Sequence, residues 1–440
     1  IKTIYVGSVQ ESYDTIMNYK GIHWPIGNTD IGGTLALTEI GDVKTPFNVT
    51  TGFKFNETTS GAIYRLMYNV DKIVMIAGDG GVFVGITTND SYDGTTLDAK
   101  ALYALNLDGT LNTTFAAGIA TSGIMYALTQ DALNNVFITG DFDEFNGVAK
   151  NQLVKLSSDG IIDGTFDTGT GFLNDTDPGY TYDMTYYAGL VYAVGEFNKY
   201  KDTDSDRIVA IDPITGDKNT VLNTSTFGRT GIALPYINCI SIYNDKIYLA
   251  GNFNTYGGVS YNNVISLNLD GTVNSTFDIC TGLNGQAWGL AVNSNGIFLT
   301  GSFATYKGVS LGGKRVIKLG FDGTLDGIFQ TNFPTLVGPP QRLKLDNSYL
   351  YACGDFNYTH ASVNTTSLLK VSAITGSIDE TLNLGIGFID ASGGANITAI
   401  NDVLILDTPI PPPVDVYYSF FDNNYGGDHD IKYNDGQWPV

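Results

Sequence analysis

The sequence predicts an all-β fold, a β-propeller of seven four-stranded antiparallel blades, with an eight-bladed ring as the alternative. Three observations predict it. A strand that ends in glycine recurs along the chain, a second anchor follows each copy at fixed spacing, and apolar residues alternate with a period of two nearly everywhere. The composition agrees: 43% hydrophobic and 12% aromatic residues supply a core, and 53 glycines supply tight turns, against only 15% charged residues. That profile is neither disordered nor coiled-coil.

The first anchor is an alternating apolar strand closed by Gly, a small or acidic residue, and Phe. It reads VFITGDF, VYAVGEF, IYLAGNF, IFLTGSF and LYACGDF, with its glycine at Gly140, Gly195, Gly251, Gly301 and Gly354, and with degenerate copies at Gly7 and Gly78. Successive glycines are 71, 62, 55, 56, 50 and 53 residues apart. Glycine recurs there because it supplies a positive φ or lets two backbones approach closely.

The second anchor is an apolar residue before an Asp-Gly-type turn, with Phe ten positions on: Leu37 to Phe47, Leu105 to Phe115, Leu156 to Phe166, Leu267 to Phe277 and Leu319 to Phe329. Two copies, Ile211 to Leu222 and Val371 to Leu382, span eleven because an ITG turn replaces the Asp-Gly type. Between the anchors, turns such as Asn244-Asp245 join strand pairs, so each unit reads as one small antiparallel sheet. A lone sheet of this size leaves both faces apolar, so units must stack, and the repeated Phe is expected to plug the seam between neighbours. An open solenoid fits less well, because its rungs are much shorter.

The chain enters on a glycine-ending strand without its usual preceding partner, while 395–406 adds a strand pair after the seventh full unit. The C-terminal strands are therefore expected to pair with the first blade and latch the ring. The propeller is assigned to 1–408. Pro411, Pro412 and Pro413 open a tail over 409–440, rich in Tyr, Asn, Asp and Gly, which reads as an attachment segment.

The segments GDFDEFNGVAKNQLVKLSSDGIIDGTFDTGTGF at 140–172 and GNFNTYGGVSYNNVISLNLDGTVNSTFD at 251–278 resemble the delta-60 repeat, a β-propeller repeat of bacterial surface or secreted proteins and of phage virion proteins. The resemblance covers about 62–388 and implies a scaffold or binding role with no catalytic residues. A Lys-poor, Asn- and Tyr-rich chain with a Pro-delimited tail also looks like a phage tail component. The expectation is thus a non-enzymatic module of a virion tail or tail fibre, contacting other virion proteins or a host surface glycan within an oligomeric assembly. Its rivals are a secreted or cell-surface bacterial adhesin and a propeller-type carbohydrate-active enzyme. The enzyme needs recurring acids at one rim, whereas the residues after the glycine are Asp141, Glu196, Asn252, Ser302 and Asp355, which vary as solvent-facing positions do.

A net charge of −22 repels phosphate backbones and anionic lipid, so neither nucleic acid nor a membrane surface is an expected partner. Neither a membrane span nor a signal peptide is expected within the sequence. Cys239, Cys280 and Cys353, odd in number and far apart, suit neither a disulfide framework nor a zinc site and read as small core residues.

Catalytic motifs dissolve on inspection. Gly308-Val309-Ser310-Leu311-Gly312 matches a nucleophile elbow but aligns with Gly258-Val259-Ser260 and Gly147-Val148-Ala149, so it is a repeat loop. His23, His360 and His429 are too few for a triad or a histidine-rich metal site, and Asp428-His429-Asp430 reads as solvated tail. No cofactor is expected, apart from calcium at Asp202, Asp204 and Asp206, whose alternating oxygens resemble a calcium loop; Asn174 to Asp177 is a second such run. For a glycan, the candidates are Trp288, Tyr180 and Tyr182, because aromatic faces suit the C–H surfaces of sugars. Asn48, Asn112, Asn274, Asn364 and Asn396 begin glycosylation sequons that matter only in a eukaryotic secretory setting.

Overall fold

The computed structural model describes residues 102–116, 125–231, 234–360 and 363–382, with individual strands on either side of them. It is all-β and strand-rich. Among the described residues the one helix is a six-residue turn, Gly327–Asn332, capped by the Asp326 carboxylate.

One three-stranded meander recurs. In its clearest copy Tyr236–Tyr243 pairs with Lys246–Asn252, which pairs with Val264–Asn268, all antiparallel. Asn244 and Asp245 join the first two strands with φ of 49° and 57°, the left-handed pair that a tight hairpin needs. The middle strand, KIYLAGN, is buried at five consecutive positions, Ile247 to Gly251. Burial on both faces, rather than alternation, is the mark of a sheet sandwiched between two others. The same order holds in Met125–Gln130, Val136–Gly140 and Leu153–Leu156; in Tyr180–Tyr187, Leu190–Glu196 and Ile208–Ile211; and in Ala287–Asn293, Gly296–Gly301 and Val316–Leu319. It holds again in Arg342–Leu345, Tyr349–His360 and Val363–Ser372, and in Ala62–Asn69, Lys72–Gly78 and Leu102–Asn106. Lys2–Ser8 lies between Thr34–Thr38 and Ile400–Asp407, with Lys2 opposite Asp407 and Tyr5 opposite Leu404.

The expected fourth strand is cut to a single bridge after each Asp-Gly-type turn, for example Leu156 with Ile162, Leu267 with Val273 and Leu319 with Leu325. The next residue ends it. Asp163, Asn219, Asn274 and Asp326 each accept the backbone N–H two residues on, at 2.9, 2.9, 3.3 and 3.0 Å, and so bend the chain out of the ladder.

The bend delivers the phenylalanine anchor into the seam. Phe166 packs with Phe137 and Leu153 of its own unit and with Phe172 and Val191 of the next; Phe115, Phe277 and Phe329 bridge neighbouring units likewise. Phe166 meets Phe137 edge-on at 5.5 Å, as Phe329 meets Phe298. Burying one such ring contributes about 2–3 kcal/mol.

A backbone clamp follows directly. The N–H after each anchor donates to the next unit's turn: Ala116 to Asp159 O (2.7 Å), Asp167 to Thr215 O (3.1 Å), Asn223 to Asp270 O (3.0 Å) and Asp278 to Asp322 O (3.1 Å). Each acceptor precedes a turn glycine, Gly160, Gly216, Gly271 or Gly323, whose φ is 80–89°. A Cβ on these glycines would fall 2.1–2.5 Å from the carbonyl oxygen of the preceding unit's Ala116, Asp167, Asn223 or Asp278, so conformation and space both demand glycine. Tyrosines of the outer hairpins reinforce the same turns: Tyr200, Tyr256 and Tyr306 donate their hydroxyls to Gly216, Gly271 and Gly323 carbonyls at 2.6–2.7 Å.

Candidate functional site

The first strands of successive sheets lie side by side, and five of them line a cavity of about 340 Å³. Its wall includes Asp183, Cys239, Ser241, Gly289, Arg342 and Lys344.

One end of each sheet is marked by the strand-ending glycine. Gly140, Gly195, Gly251 and Gly301 stand opposite a β-bulge, where the first strand skips Tyr126, Tyr182, Asn238 and Trp288 respectively. Close approach is the reason for glycine here, since a Cβ on Gly195, Gly251 or Gly301 would sit 2.0–2.3 Å from the carbonyl oxygen of Tyr180, Tyr236 or Gln286. A bulge re-aims the side chain of its extra residue. Repeated unit after unit, it sets a row of half-buried aromatic and amide groups along the glycine end.

The row is continuous. Tyr126 and Tyr182 meet edge-to-face at 6.1 Å, and Tyr182 meets Tyr236 at 5.9 Å. The Tyr236 hydroxyl donates to Gln286 Oε1 (2.7 Å) and accepts from Asn252 Nδ2 (3.0 Å), while Asn238 Nδ2 donates to the Ala287 carbonyl (2.7 Å). Charge is uneven along it. Burial, then the neighbouring Asp143, raises the Asp141 carboxyl above its usual range. Burial, then Asp141 and Tyr180, raises the Tyr126 phenol, and burial, then Glu196, raises that of Tyr182.

Of the three residues expected to meet a glycan, Tyr180 is exposed opposite Glu196, and Tyr182 and Trp288 are half-buried bulge residues on different strands. Tyr182 is flanked by two rings, which leaves Tyr180 and Trp288 as the better stacking surfaces. The sequence reading missed Tyr126, Tyr236 and Arg342. Counting thirteen or fourteen positions back from each glycine anchor finds Tyr126, Tyr182, Asn238 and Trp288 together.

The calcium candidates are not gathered. Asp202 (φ 58°) and Asp204 are exposed on the Lys199–Tyr200/Thr203–Asp204 hairpin, and the Asp204 backbone carbonyl accepts from Lys218. Asp206 turns inward, accepting from the Phe227 N–H and facing Arg207 at 3.6 Å, and burial raises its pKa. The chain bends between them because the Ser205 N–H donates to the Asn198 carbonyl. Asp175 likewise stitches its loop to Asn198. Among the described residues no three His, Cys, Asp or Glu side chains stand close enough to hold a metal.

Cys239 and Cys353 are buried, but Cys280 is exposed, a correction to the core reading; it sits at φ 47° in the turn begun by Asp278. Val309–Ser310 belongs to a two-stranded hairpin with Thr305–Tyr306. The His360 side chain, His23, the side chains of 428–430 and nearly all of the 409–440 tail lie outside the described residues, where only the strand pair Tyr418–Phe420 and His429–Ile431 is seen. A second cavity of about 400 Å³, between neighbouring hairpins, is lined by Asn254, Asn262, Asn263 and Asn284. Those amides are committed to one another and to the backbone, so the cavity reads as a seam.

Residues 244–277 match the family described as Domain of unknown function (DUF5122) beta-propeller, so the repeat is of β-propeller type. No curated protein matches the chain. Among solved structures the chain is similar to the computationally designed Ika8 protein (10% identity, 91% of this chain and 95% of that chain covered, TM-score 0.42). It is similar also to a chain of the Nidogen/Laminin complex (12%, 77% and 97%, 0.38) and to the Neurospora crassa Pan2 WD40 domain (11%, 86% and 90%, 0.38). At those scores none of them bears on what the chain binds.

Proposed function

We propose that the chain is a closed seven-unit propeller of the delta-60 type that serves as a rigid, non-enzymatic recognition platform, and that its glycine end receives a glycan. Closure is supported by the pairing of Ile400–Asp407 with Lys2–Ser8, which gives the first unit the strand it otherwise lacks. The observation that carries the function is the repeated bulge, which aims Tyr126, Tyr182, Asn238 and Trp288 in successive units towards one end of the molecule. Aromatic faces beside amide donors and acceptors are what a sugar ring needs: C–H surface on the ring, hydroxyls on the amides. The setting we propose is a virion tail or tail fibre, on the repeat resemblance and the Lys-poor composition.

A glycan array probed with the purified chain tests the recognition role. Binding to a defined set of glycans, lost in Trp288→Ala and weakened in Tyr180→Ala with melting temperatures retained, is the expected result; an array blank for the wild-type chain sinks it. Release of shorter sugars from the same panel would instead make the protein an enzyme. Electron cryomicroscopy of the source particle counts the units in the ring and reads out whether the chain occupies a symmetry-repeated place in a virion.

A further inference from the structure

The strand Arg342–Leu345 breaks the pattern of its neighbours. Where the other first strands place Asp183, Cys239 or Gly289 opposite the residue before the strand-ending glycine, this one places Arg342, opposite Cys353 and next to the position of Gly354. Arg342 is half-buried, and among the described residues it has neither a hydrogen-bond nor an ion-pair partner. None of its nitrogens is both buried and unpartnered, so the guanidinium keeps its donors open to a ligand, in a chain whose net charge of −22 leaves it without a counter-charge. The carboxylate in the same cavity wall is already engaged: Asp183 accepts the backbone N–H groups of Met184 and Ile240, each at 3.0 Å. Lys344, two residues along, adds a second positive charge to the wall.

The surroundings give that cation a direction. Trp288 stands on the adjacent strand, and the glycine after it brings the two strands together: a Cβ on Gly289 would lie 3.1 Å from the Gln341 carbonyl oxygen and 3.5 Å from the Arg342 Cα. Of the carboxylates that follow the glycine anchors, Asp141 and Glu196 belong to other units, and Asp355, in the same unit as Arg342, is exposed. The cavity volume of about 340 Å³ falls within the range of small-ligand sites, about 300–1,000 Å³.

We infer that the cavity takes a sugar bearing a carboxylate, with Arg342 in its wall engaging the carboxylate and Trp288, on the neighbouring strand beside the wall, the ring; the inference rests on the glycan reading above and narrows it to acidic sugars. A guanidinium presents two parallel N–H donors that match a carboxylate, which fixes orientation as well as affinity.

The test is calorimetric titration of the full chain with a hexuronic acid tetrasaccharide and with its counterpart in which every carboxyl has been reduced to a hydroxymethyl, using wild type and Arg342→Gln. The acidic sugar is expected to bind about tenfold or more tightly than the reduced one, as one charge-assisted bidentate contact allows. The preference should shrink with added salt and vanish in Arg342→Gln. Equal binding of both sugars by the wild type, or a preference that survives Arg342→Gln, overturns the acidic-sugar assignment and leaves glycan recognition standing. Failure of both sugars to bind also overturns the acidic-sugar assignment, and the glycan array then decides whether glycan recognition stands. Should Arg342→Gln not fold, Arg342→Lys reads the same point, because it keeps the charge and loses the fork: an unchanged preference would overturn the bidentate role.

Discussion

The two ends of each sheet are built on opposite principles. At the turn end the repeat is enforced by backbone: a left-handed glycine, an N–H donated across the seam, and a tyrosine hydroxyl on the same turn recur with nearly the same lengths in unit after unit. At the glycine end the backbone bulge recurs but its side chain does not, passing from Tyr126 and Tyr182 to Asn238 and Trp288. One end keeps the units together, and the other varies what they present. The turn glycines tolerate no side chain, so they hold the repeat; a bulge fixes only a direction and leaves the residue free.

The largest effect should come from breaking the turn end where it is most crowded. Gly216→Val places a β-branched side chain at φ 82° with its Cβ 2.1 Å from the Asp167 carbonyl oxygen, so the clamp between two units must open. A loss of about 3 kcal/mol or more is expected in urea unfolding. Gly189→Ala is the matched control, equally left-handed at φ 87° but with nothing within 4 Å of a Cβ, and should lose only about 1 kcal/mol. Equal losses for the two would mean that conformation alone, not the seam, selects glycine at the turns.

Acid should discriminate the ends next. After the turn, Lys155 pairs with Asp163 at 2.8 Å and Lys318 with Asp326 at 2.9 Å, and Lys370 pairs with Asp379. Burial alone would raise these carboxyls, but hydrogen bonds from the lysines and from threonine or backbone N–H groups outweigh it and hold all three below the usual carboxylate range. Their folded pKa values are depressed, so the stability they contribute is fully present above about pH 4, near the unfolded aspartate value, and is lost as pH falls through the folded values. Urea midpoints from pH 6 down to pH 2.5 should drop steadily below about pH 4, and a Lys155→Met chain should show a shallower drop. A flat profile would show that the three pairs contribute little beyond solvent-exposed ion pairs.

What the sequence made legible follows from this division. The strand-ending glycines, the phenylalanine plugs and the Asn244-Asp245 turn were readable because each is a local demand on residue type that repeats at a measurable interval. The clamp from Asp167 to Thr215 was not, since a backbone hydrogen bond leaves no side-chain signature, and its only trace is the glycine beside it. The fourth strand was over-read for a related reason: Leu267 and Val273 look like strand residues, but Asn274 ends the ladder after one bridge. At the candidate site, Trp288, Tyr180 and Tyr182 stood out by residue type, whereas the bulge that unites Tyr182 with Tyr126, Asn238 and Trp288 depends on register, which no single unit displays. The aspartates of 202–206 alternate in the sequence, but the chain bends at Ser205, so Asp202 and Asp204 stay on the hairpin while Asp206 turns inward, and no alternation of residue types announces such a bend.

The smallest predicted effect has the opposite sign, and for that reason it sharpens the comparison most. Asp141 follows the glycine anchor of its unit, where burial and then Asp143 raise its carboxyl above the ordinary value. A folded pKa above the unfolded one means that the ionised group penalises folding at neutral pH, and that the penalty is relieved as pH falls through the folded value towards the unfolded one. Asp141→Asn should therefore raise the urea midpoint slightly at pH 7 and leave it unchanged near pH 3, whereas removal of Asp163 at the turn end should lower the midpoint at pH 7. A carboxylate kept at a cost to stability is what a presenting surface carries, since its residues are retained for what they meet and not for what they hold. If Asp141→Asn lowered stability at pH 7 as Asp163→Asn does, the two ends would be scaffolding alike, and the case for the glycine end as the recognition surface would lose its energetic support.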